Sequence, residues 1–116
     1  MEVYKMKNKP IALLNCAILT ADGKYILTPI TLVNVRTMIM VNGNNVNSYI
    51  GHESTAQILT ELLEQDVEVN RTEFKHETGQ IAIVFKLKKR GSEGKIYTKK
   101  EIEDIGYEFK MLEKKE

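Results

Sequence analysis

A histidine stands where the sequence predicts the start of a helix. His52 lies in the stretch IGHESTAQILTELLEQDVEVNR, residues 50–71. Small and apolar side chains recur there at helical spacing, namely Thr55, Ile58, Leu59, Leu62 and Leu63. Ser54-x-x-Gln57 matches a capping box, so the helix is expected to begin just after Ser54. Because free N–H groups at a helix N-terminus favour anions, the pattern indicates a titratable imidazole beside a phosphate site.

The histidines and the cysteine each have a simpler interpretation. His52 is either a catalytic or binding residue or a capping or core histidine. His76 lies in a predicted turn between Lys75 and Glu77 and is expected to be a solvated loop residue. The two histidines are far apart and lack clustered cysteines or carboxylates, so no metal site is expected. Cys16 sits in an apolar run without a visible activating base, and is expected to be an inert core thiol.

Basic residues concentrate in the segment 86–100. Seven of the 17 lysines and arginines lie there: Lys86, Lys88, Lys89, Arg90, Lys95, Lys99 and Lys100. In one interpretation this is a phosphate-binding lid, in which Gly91 and Gly94 let backbone N–H groups approach an anion and Arg90 clamps it. Glu93, between these glycines, would hold an imidazolium or orient an arginine. In the other interpretation, the segment is a solvated strand end and loop.

Asn15 and Arg71 are further polar candidates. Asn15 interrupts the apolar run IALLNCAIL, and a buried amide must find hydrogen-bond partners or lose about 1–3 kcal/mol. It is either a core amide tied to neighbouring backbone or an amide at a strand end that touches a ligand. Arg71 is either a second phosphate clamp or part of a surface ion pair that contributes little stability.

Length and composition limit the kind of protein. A chain of 116 residues is one domain, with residues 1–9 as a polar tail and 10–116 as the folded unit. A net charge of +1 excludes polyanion binding by bulk charge, so nucleic-acid affinity would need a local patch. A single cysteine forms no internal disulfide, which fits a reducing compartment. No apolar run approaches a membrane span or a signal core, so a cytoplasmic protein is expected.

Hydrophobic patterning predicts the elements in order. The run from Ile11 to Leu19 is typical of a strand buried on both faces, hence central in a sheet. Tyr25–Pro29 is expected to be a short strand that lies at an edge of the sheet or ends at Pro29, and Thr31 is expected to cap a short helix ending near Met40. The Asn-rich segment Asn42–Ser48 is expected to be a loop.

The second half of the chain carries a clear alternation. Val67 and Val69 alternate with polar residues, and Ile81, Ile83, Phe85 and Leu87 alternate after the Thr78-Gly79 turn, so a hairpin is expected. Thr98-x-x-Glu101 predicts a capped helix that stops near Gly106, followed by a last strand from Tyr107. The fold class expected is α/β, a single mixed sheet of about five strands with helices packed against it.

Several motifs in combination resemble one known family. They are Ile50-Gly51-His52 with Ser54-Thr55, then Asn70-Arg71, then Arg90 with Glu93-Gly94-Lys95. The pattern is similar to that of the ring nucleases of archaeal viruses, phages and some bacterial elements, which are anti-CRISPR enzymes acting on type III immunity. The resemblance runs from about Leu13 to Leu112. The combination is fairly specific, although no single motif is.

The resemblance implies an activity and a set of roles. Family members are homodimers that need no metal or cofactor, and they cut cyclic tetra-adenylate into linear di-adenylates with a 2′,3′-cyclic phosphate. It implies neither a membrane nor a stable nucleic-acid partner. The family's catalytic residues map onto His52 and Glu93. Its substrate-binding residues map onto Asn15, Gly51, Thr55, Arg71 and Arg90.

The chain departs from the family pattern at two positions. A serine that contributes to the site in some members falls at Ile18 here, and Lys89 stands where a glutamine is often found.

Two other functions are also considered. One rival is a non-catalytic binder of cyclic oligoadenylates. The other is a nucleic-acid-binding accessory protein of a mobile element, whose binding would weaken steeply with salt. In the nuclease hypothesis His52 is the general acid, so activity is expected to fall above neutral pH.

Overall fold

A five-stranded mixed sheet organises the chain, with spatial order β2-β5-β4-β1-β3. The computed structural model describes residues 9–43, 45–89 and 96–116. The strands are β1 (Ile11–Leu14), β2 (Tyr25–Ile30), β3 (Val46–Ser48), β4 (Ile81–Leu87) and β5 (Tyr107–Lys114), and the helices are α1 (Leu32–Val41), α2 (Glu53–Leu63) and α3 (Lys99–Ile105). The expected α/β class is confirmed. Of the predicted polar tail, all but Lys9 lies outside the described residues.

Three strands of the sheet run in parallel. β1 pairs in parallel with β3 on one side and with β4 on the other. β5 pairs antiparallel with β4 and with β2, which occupies one edge of the sheet as expected. The carboxyl ends of β1, β3 and β4 therefore meet at one border of the sheet, where ligands of open α/β folds commonly bind.

The two faces of the sheet carry two apolar clusters. On the first face, side chains of all three helices pack against the odd-numbered residues of β1 and β4, such as Leu13 and Ile83. On the second face, Ala12, Leu14 and Val84 pack with Phe74. Because alternate residues of a strand point to opposite faces, strands buried on both sides become almost continuously apolar. This explains the unbroken apolar run at Ile11–Leu14 and most of β4.

β1 is shorter than its apolar run predicts. It ends at Leu14, and residues 15–24 are exposed, so Asn15 and Cys16 are surface residues rather than core residues. β1 is an interior strand, but β4 occupies the middle of the sheet. The error has a physical cause: hydrophobicity shows that a segment can be buried, whereas the length of a strand depends on the partners beside it.

The hairpin predicted between residues 66 and 88 is wrong in its first half. The backbone from Val67 to Lys75 forms no strand, and makes one parallel bridge between Ile50 and Val69. Instead, Phe74 covers the second face of the sheet. On the side of β1 away from β4, the neighbouring strand is β3, which lies within the segment predicted to be a loop. At three residues, β3 is too short to produce a readable alternation.

Two of the three predicted helix N-caps are correct and one is wrong. Thr31 accepts a hydrogen bond from the backbone of Asn34, and Thr98 forms a complete capping box, both as predicted. The N-cap of α2 is His52 rather than Ser54. The amide of Gln57 is engaged elsewhere: it donates to the carbonyl of Tyr97 at 3.1 Å and accepts from the Tyr97 N–H at 3.0 Å. Gln57 therefore ties α2 to the chain entering α3.

Candidate functional site

Three polar residues lie at or near the carboxyl ends of the three parallel strands. Asn15 directly follows β1, His52 follows β3 after a short connection, and Lys89 follows β4 by two residues. Strands that run in the same direction end at the same border, so residues far apart in sequence become neighbours there. The positions of Asn15 and His52 in the sequence do not show this proximity, because it depends on the pairing of β1 with β3.

A cavity of about 260 Å³ lies at this border and is called here the site cavity. Its lining residues are Asn15, His52, Ser54, Thr55, Ile58, Phe85, Lys86, Leu87, Lys89 and Tyr97. The structure thus brings together three of the predicted site residues, Asn15, His52 and Thr55. Two others, Arg90 and Glu93, lie outside the described residues.

His52 is placed as an accessible imidazole. Its backbone is extended, with φ −123° and ψ 132°, and its carbonyl accepts the first helical hydrogen bond from Ala56. The imidazole makes no capping hydrogen bond and is exposed. The eleven-residue helix α2 directs free N–H groups toward the same region, although Glu53 in its first turn offsets part of the positive potential. The ring is therefore available to a ligand rather than committed to the fold.

Two lysines contribute positive charge to the site cavity. Lys86 and Lys89 line it and are exposed, and among the described residues no carboxylate belongs to the lining. Both lysines belong to the basic segment 86–100, for which a phosphate-binding lid was one of two interpretations, and neither was named among the expected substrate-binding residues. The signal that would have found them is their position at the carboxyl end of the strand whose alternation was the clearest in the chain.

The Asn70-Arg71 motif holds the loop that carries His52. The Asn70 backbone N–H donates to the Ile50 carbonyl at 2.8 Å, and its side-chain amide donates to the Ser48 carbonyl at 2.9 Å. Arg71 Nε donates to the Gly51 carbonyl at 2.9 Å. Neither Gly51 nor Arg71 is among the residues that line the site cavity. The motif therefore fixes the connection between β3 and α2.

His76 is buried, which corrects its assignment as a solvated loop residue. It is 5 % exposed, its backbone N–H donates to Thr20 Oγ1, and its Nε2–H donates to the Gln80 carbonyl at 2.8 Å. Nδ1 has no hydrogen-bond partner among the described residues. Burial lowers the pKa of His76 below 6.5; the hydrogen bond to Gln80 raises it, and the nearby Lys114 lowers it. The charged residues on either side of His76 led to the expectation of an exposed ring, but the ring packs beside Phe74, at 5.2 Å between centroids.

Two further observations concern metals and membranes. Within residues 9–43, 45–89 and 96–116, no three or more His, Cys, Asp or Glu side chains gather closely enough to hold a metal ion. In the same part of the chain, no helix has the length and apolar character needed to cross a membrane.

Comparison with solved structures identifies the fold. The chain is similar to B116 of Sulfolobus turreted icosahedral virus (STIV), with a TM-score of 0.77. The similarity covers 90% of this chain and 99% of that one at 20% sequence identity, so it concerns the fold alone.

Sequence comparison finds relatives in a bacterium and in viruses. YddF of Bacillus subtilis strain 168 is 38% identical over 102 residues, covering 88% of this chain and 94% of YddF. ORF117 of Acidianus two-tailed virus is 32% identical over 93 residues, covering 79% of this chain and 80% of that protein. The expected association with viral proteins is thus supported. A family profile described as STIV B116-like matches residues 11–109, and the chain belongs to this family.

Proposed function

We propose that the protein is a ring nuclease that cuts cyclic tetra-adenylate into linear di-adenylates with a 2′,3′-cyclic phosphate, and so antagonises type III CRISPR immunity in the cytoplasm. One observation carries the proposal: an uncommitted imidazole, His52, shares the site cavity with Lys86 and Lys89 at a helix N-terminus. Cleavage of a phosphodiester is helped by positive charge beside the phosphate and by a proton donor for the leaving oxygen. The lysines offer the first and His52 the second.

The reaction needs no nucleophile from the protein. The ribose 2′-oxygen attacks the adjacent phosphorus, the bond from phosphorus to the 5′-oxygen breaks, and a 2′,3′-cyclic phosphate forms. The proton of the attacking hydroxyl passes to solvent, and the departing 5′-oxygen takes a proton from His52 as general acid. Protein groups must hold the attacking and departing oxygens in line, which is the main contribution of positioning. The ring-nuclease resemblance implies that this occurs without a metal.

Charge stabilisation is assigned to the residues around His52. Lys86 and Lys89 neutralise charge that develops on the phosphorus oxygens, helped by the N–H groups of the first turn of α2. Asn15, which also lines the site cavity, offers an amide to the ribose or phosphate. Arg71 acts through the Gly51 carbonyl, because its hydrogen bond there fixes the approach to His52. Thr55 lines the cavity from the first turn of α2 and offers a hydroxyl.

The symmetry of the substrate favours two copies of the site. A ring of four identical nucleotides has two-fold symmetry, and two cuts at opposite phosphates release two di-adenylates. A homodimer around a two-fold axis would present two equivalent His52 residues to such a ring. This is the assembly that the ring-nuclease resemblance implies.

The test is incubation of purified protein with labelled cyclic tetra-adenylate in EDTA, with products separated by chromatography. We expect di-adenylate from the wild type and from Glu61→Ala, a control at an exposed position of the same helix. His52→Ala is expected to bind the ring and lose cleavage by at least about a hundredfold, the usual contribution of a general acid.

Three results would contradict the proposal. Cleavage retained by His52→Ala would overturn the role of His52. Tight binding of an uncut ring by the wild type would show a non-catalytic binder, and no binding would reject cyclic tetra-adenylate as the ligand.

A further inference from the structure

A second cavity adjoins the site cavity at Asn15. It encloses about 380 Å³ and is called here the aromatic cavity. Its lining residues are Leu14, Asn15, Cys16, Ile18, Leu19, Thr20, Tyr49, Thr72, Glu73 and Phe74. The site cavity draws on Ile58 and Phe85 from the helix-covered face, whereas the aromatic cavity draws on Leu14 and Phe74 from the other face. Asn15 belongs to both linings and joins them around the end of β1.

Two aromatic rings, those of Tyr49 and Phe74, line the aromatic cavity. Tyr49 and Phe74 lie 4.9 Å apart between ring centroids, tilted by 54°, and Phe74 lies 5.2 Å from the ring of His76. Phe74 is buried, whereas Tyr49 is half-buried and lines the cavity. Because Phe74 packs against Tyr49, and His76 packs against Phe74 in turn, the Tyr49 ring belongs to an aromatic cluster that offers a surface on which planar groups stack.

The two cavities differ in charge. The site cavity has Lys86 and Lys89 and, among the described residues, no carboxylate. The aromatic cavity has the carboxylate of Glu73 and, within the same part of the chain, no lysine or arginine. A phosphate is therefore attracted to the first and repelled from the second. A flat, uncharged group carrying N–H donors fits the second, because a ring stacks on aromatic surfaces and a carboxylate accepts from an amino group.

We infer that the aromatic cavity binds a nucleobase of the ligand while the site cavity holds the adjacent phosphate. The base stacks on Tyr49, its exocyclic amino group donates to Glu73, and Asn15 lies between base and phosphate. This inference rests on the proposed function and extends it, since it names the residues that select an amino-bearing base. Tyr49 and Glu73 are specificity residues and take no part in bond breaking.

Stacking is tested with a fluorescent ring. In a cyclic tetra-adenylate carrying one 2-aminopurine, fluorescence falls when that base stacks on an aromatic ring. We expect quenching by the wild type and by Tyr49→Phe, which keeps the ring, and little quenching by Tyr49→Leu at saturating protein. Equal quenching by all three proteins would overturn the role of Tyr49.

The amino contact is tested by removing either partner. Replacing adenine by purine, which lacks the amino group, is expected to weaken ring binding to the wild type about tenfold, the scale of one charge-assisted hydrogen bond. Glu73→Ala should weaken binding of the adenine ring by a similar factor and show no further loss with purine. Glu77→Ala, exposed on the same segment and outside both linings, is the matched control and should behave as wild type.

The outcomes separate the two hypotheses. A wild type that binds and cuts the ring, with Glu73→Ala and Glu77→Ala giving the same purine effect, overturns the base site and leaves the nuclease intact. A wild type that binds but does not cut, with the Glu73 effect present, removes the catalytic proposal and supports the base site. A wild type without affinity for the ring overturns both.

Discussion

Three helices bury a large apolar cluster on one face of the sheet, whereas Phe74 and the irregular backbone around it cover the other. The helix-covered face gains its stability from regular elements with apolar stripes. The second face depends on single aromatic side chains and on hydrogen bonds from loops. Both candidate cavities open where these faces meet the carboxyl end of β1. The site cavity therefore draws lining residues from the helix-covered face, and the aromatic cavity draws them from the second face.

The largest expected difference lies in the core. Leu59→Ala, on the helix-covered face, removes a side chain with no exposed surface and should cost about 3–5 kcal/mol of unfolding free energy. Leu14→Ala, on the second face, should cost about 2–3 kcal/mol, because the thinner cover can collapse into the space. Urea unfolding of both variants measures the difference. A larger loss for Leu14→Ala would reverse the comparison.

The next effect concerns the loop that carries His52. Asn70→Ala removes the hydrogen bond to the Ser48 carbonyl and the two that Asn70 Oδ1 accepts from the N–H and the hydroxyl of Thr72. We expect a loss of about 1–3 kcal/mol in unfolding free energy. Arg71→Ala should cost less than about 1 kcal/mol, since the side chain is exposed, yet reduce ring cleavage. Cleavage by Arg71→Ala equal to wild type would show that the Gly51 contact does not position His52.

A smaller effect is expected where two helices are tied together. Gln57→Ala removes both hydrogen bonds to the Tyr97 backbone and should lower the unfolding free energy by about 1–2 kcal/mol. Glu61→Ala, exposed on the same helix, should change it by less than about 0.5 kcal/mol. Thermal unfolding of both variants gives the comparison. Equal stability would contradict the role of Gln57.

The most gradual effect is a pH dependence of the unfolding free energy, which arises from His76 on the second face. Well above pH 6.5, the His76 ring is neutral in both the folded and the unfolded chain, so its protonation does not affect the unfolding free energy there. As the pH falls through 6.5, the unfolded chain takes up a proton that buried His76 does not, because burial lowers its pKa. Stability should therefore fall with decreasing pH, by at most about 1.4 kcal/mol per pH unit for this group.

A variant isolates this contribution. His76→Gln retains an N–H donor for the Gln80 carbonyl and lacks the titration. Its unfolding free energy, followed between about pH 7.5 and pH 5.5, should change less than that of the wild type. Parallel pH profiles for the two proteins would show that His76 does not contribute to the pH dependence.

Local patterns predicted the elements whose signal is contained in a few neighbouring residues. The stripe of α2, the caps at Thr31 and Thr98, the alternation of β4 and the edge position of β2 are all present in the structure. Each depends on side-chain spacing or on a hydrogen bond within one turn. Misassignments arose where a nonlocal partner competes, as at Gln57, whose amide binds the chain before α3 instead of capping α2.

The candidate site shows the same division. His52, Asn15 and Thr55 were identified by residue type and by motif, and the structure places them in one cavity. Lys86 and Lys89 were identified only as members of the basic segment 86–100, and Arg71 proved to bind the Gly51 carbonyl. These roles depend on the pairing of β1 with β3 and β4, and no local pattern states which strands will be neighbours.

The amino-acid sequence by itself thus determines the helix that follows His52, the strand β4 and the α/β class. Each is indicated by apolar residues whose spacing repeats over a short stretch of chain. Tertiary structure decided that Asn15 is exposed, that His76 is buried and that β3 forms beside β1. These outcomes depend on free energies shared between segments more than thirty residues apart, such as Asn15 and His52. Burial and strand pairing are properties of those contacts, and they exist only once the chain has folded.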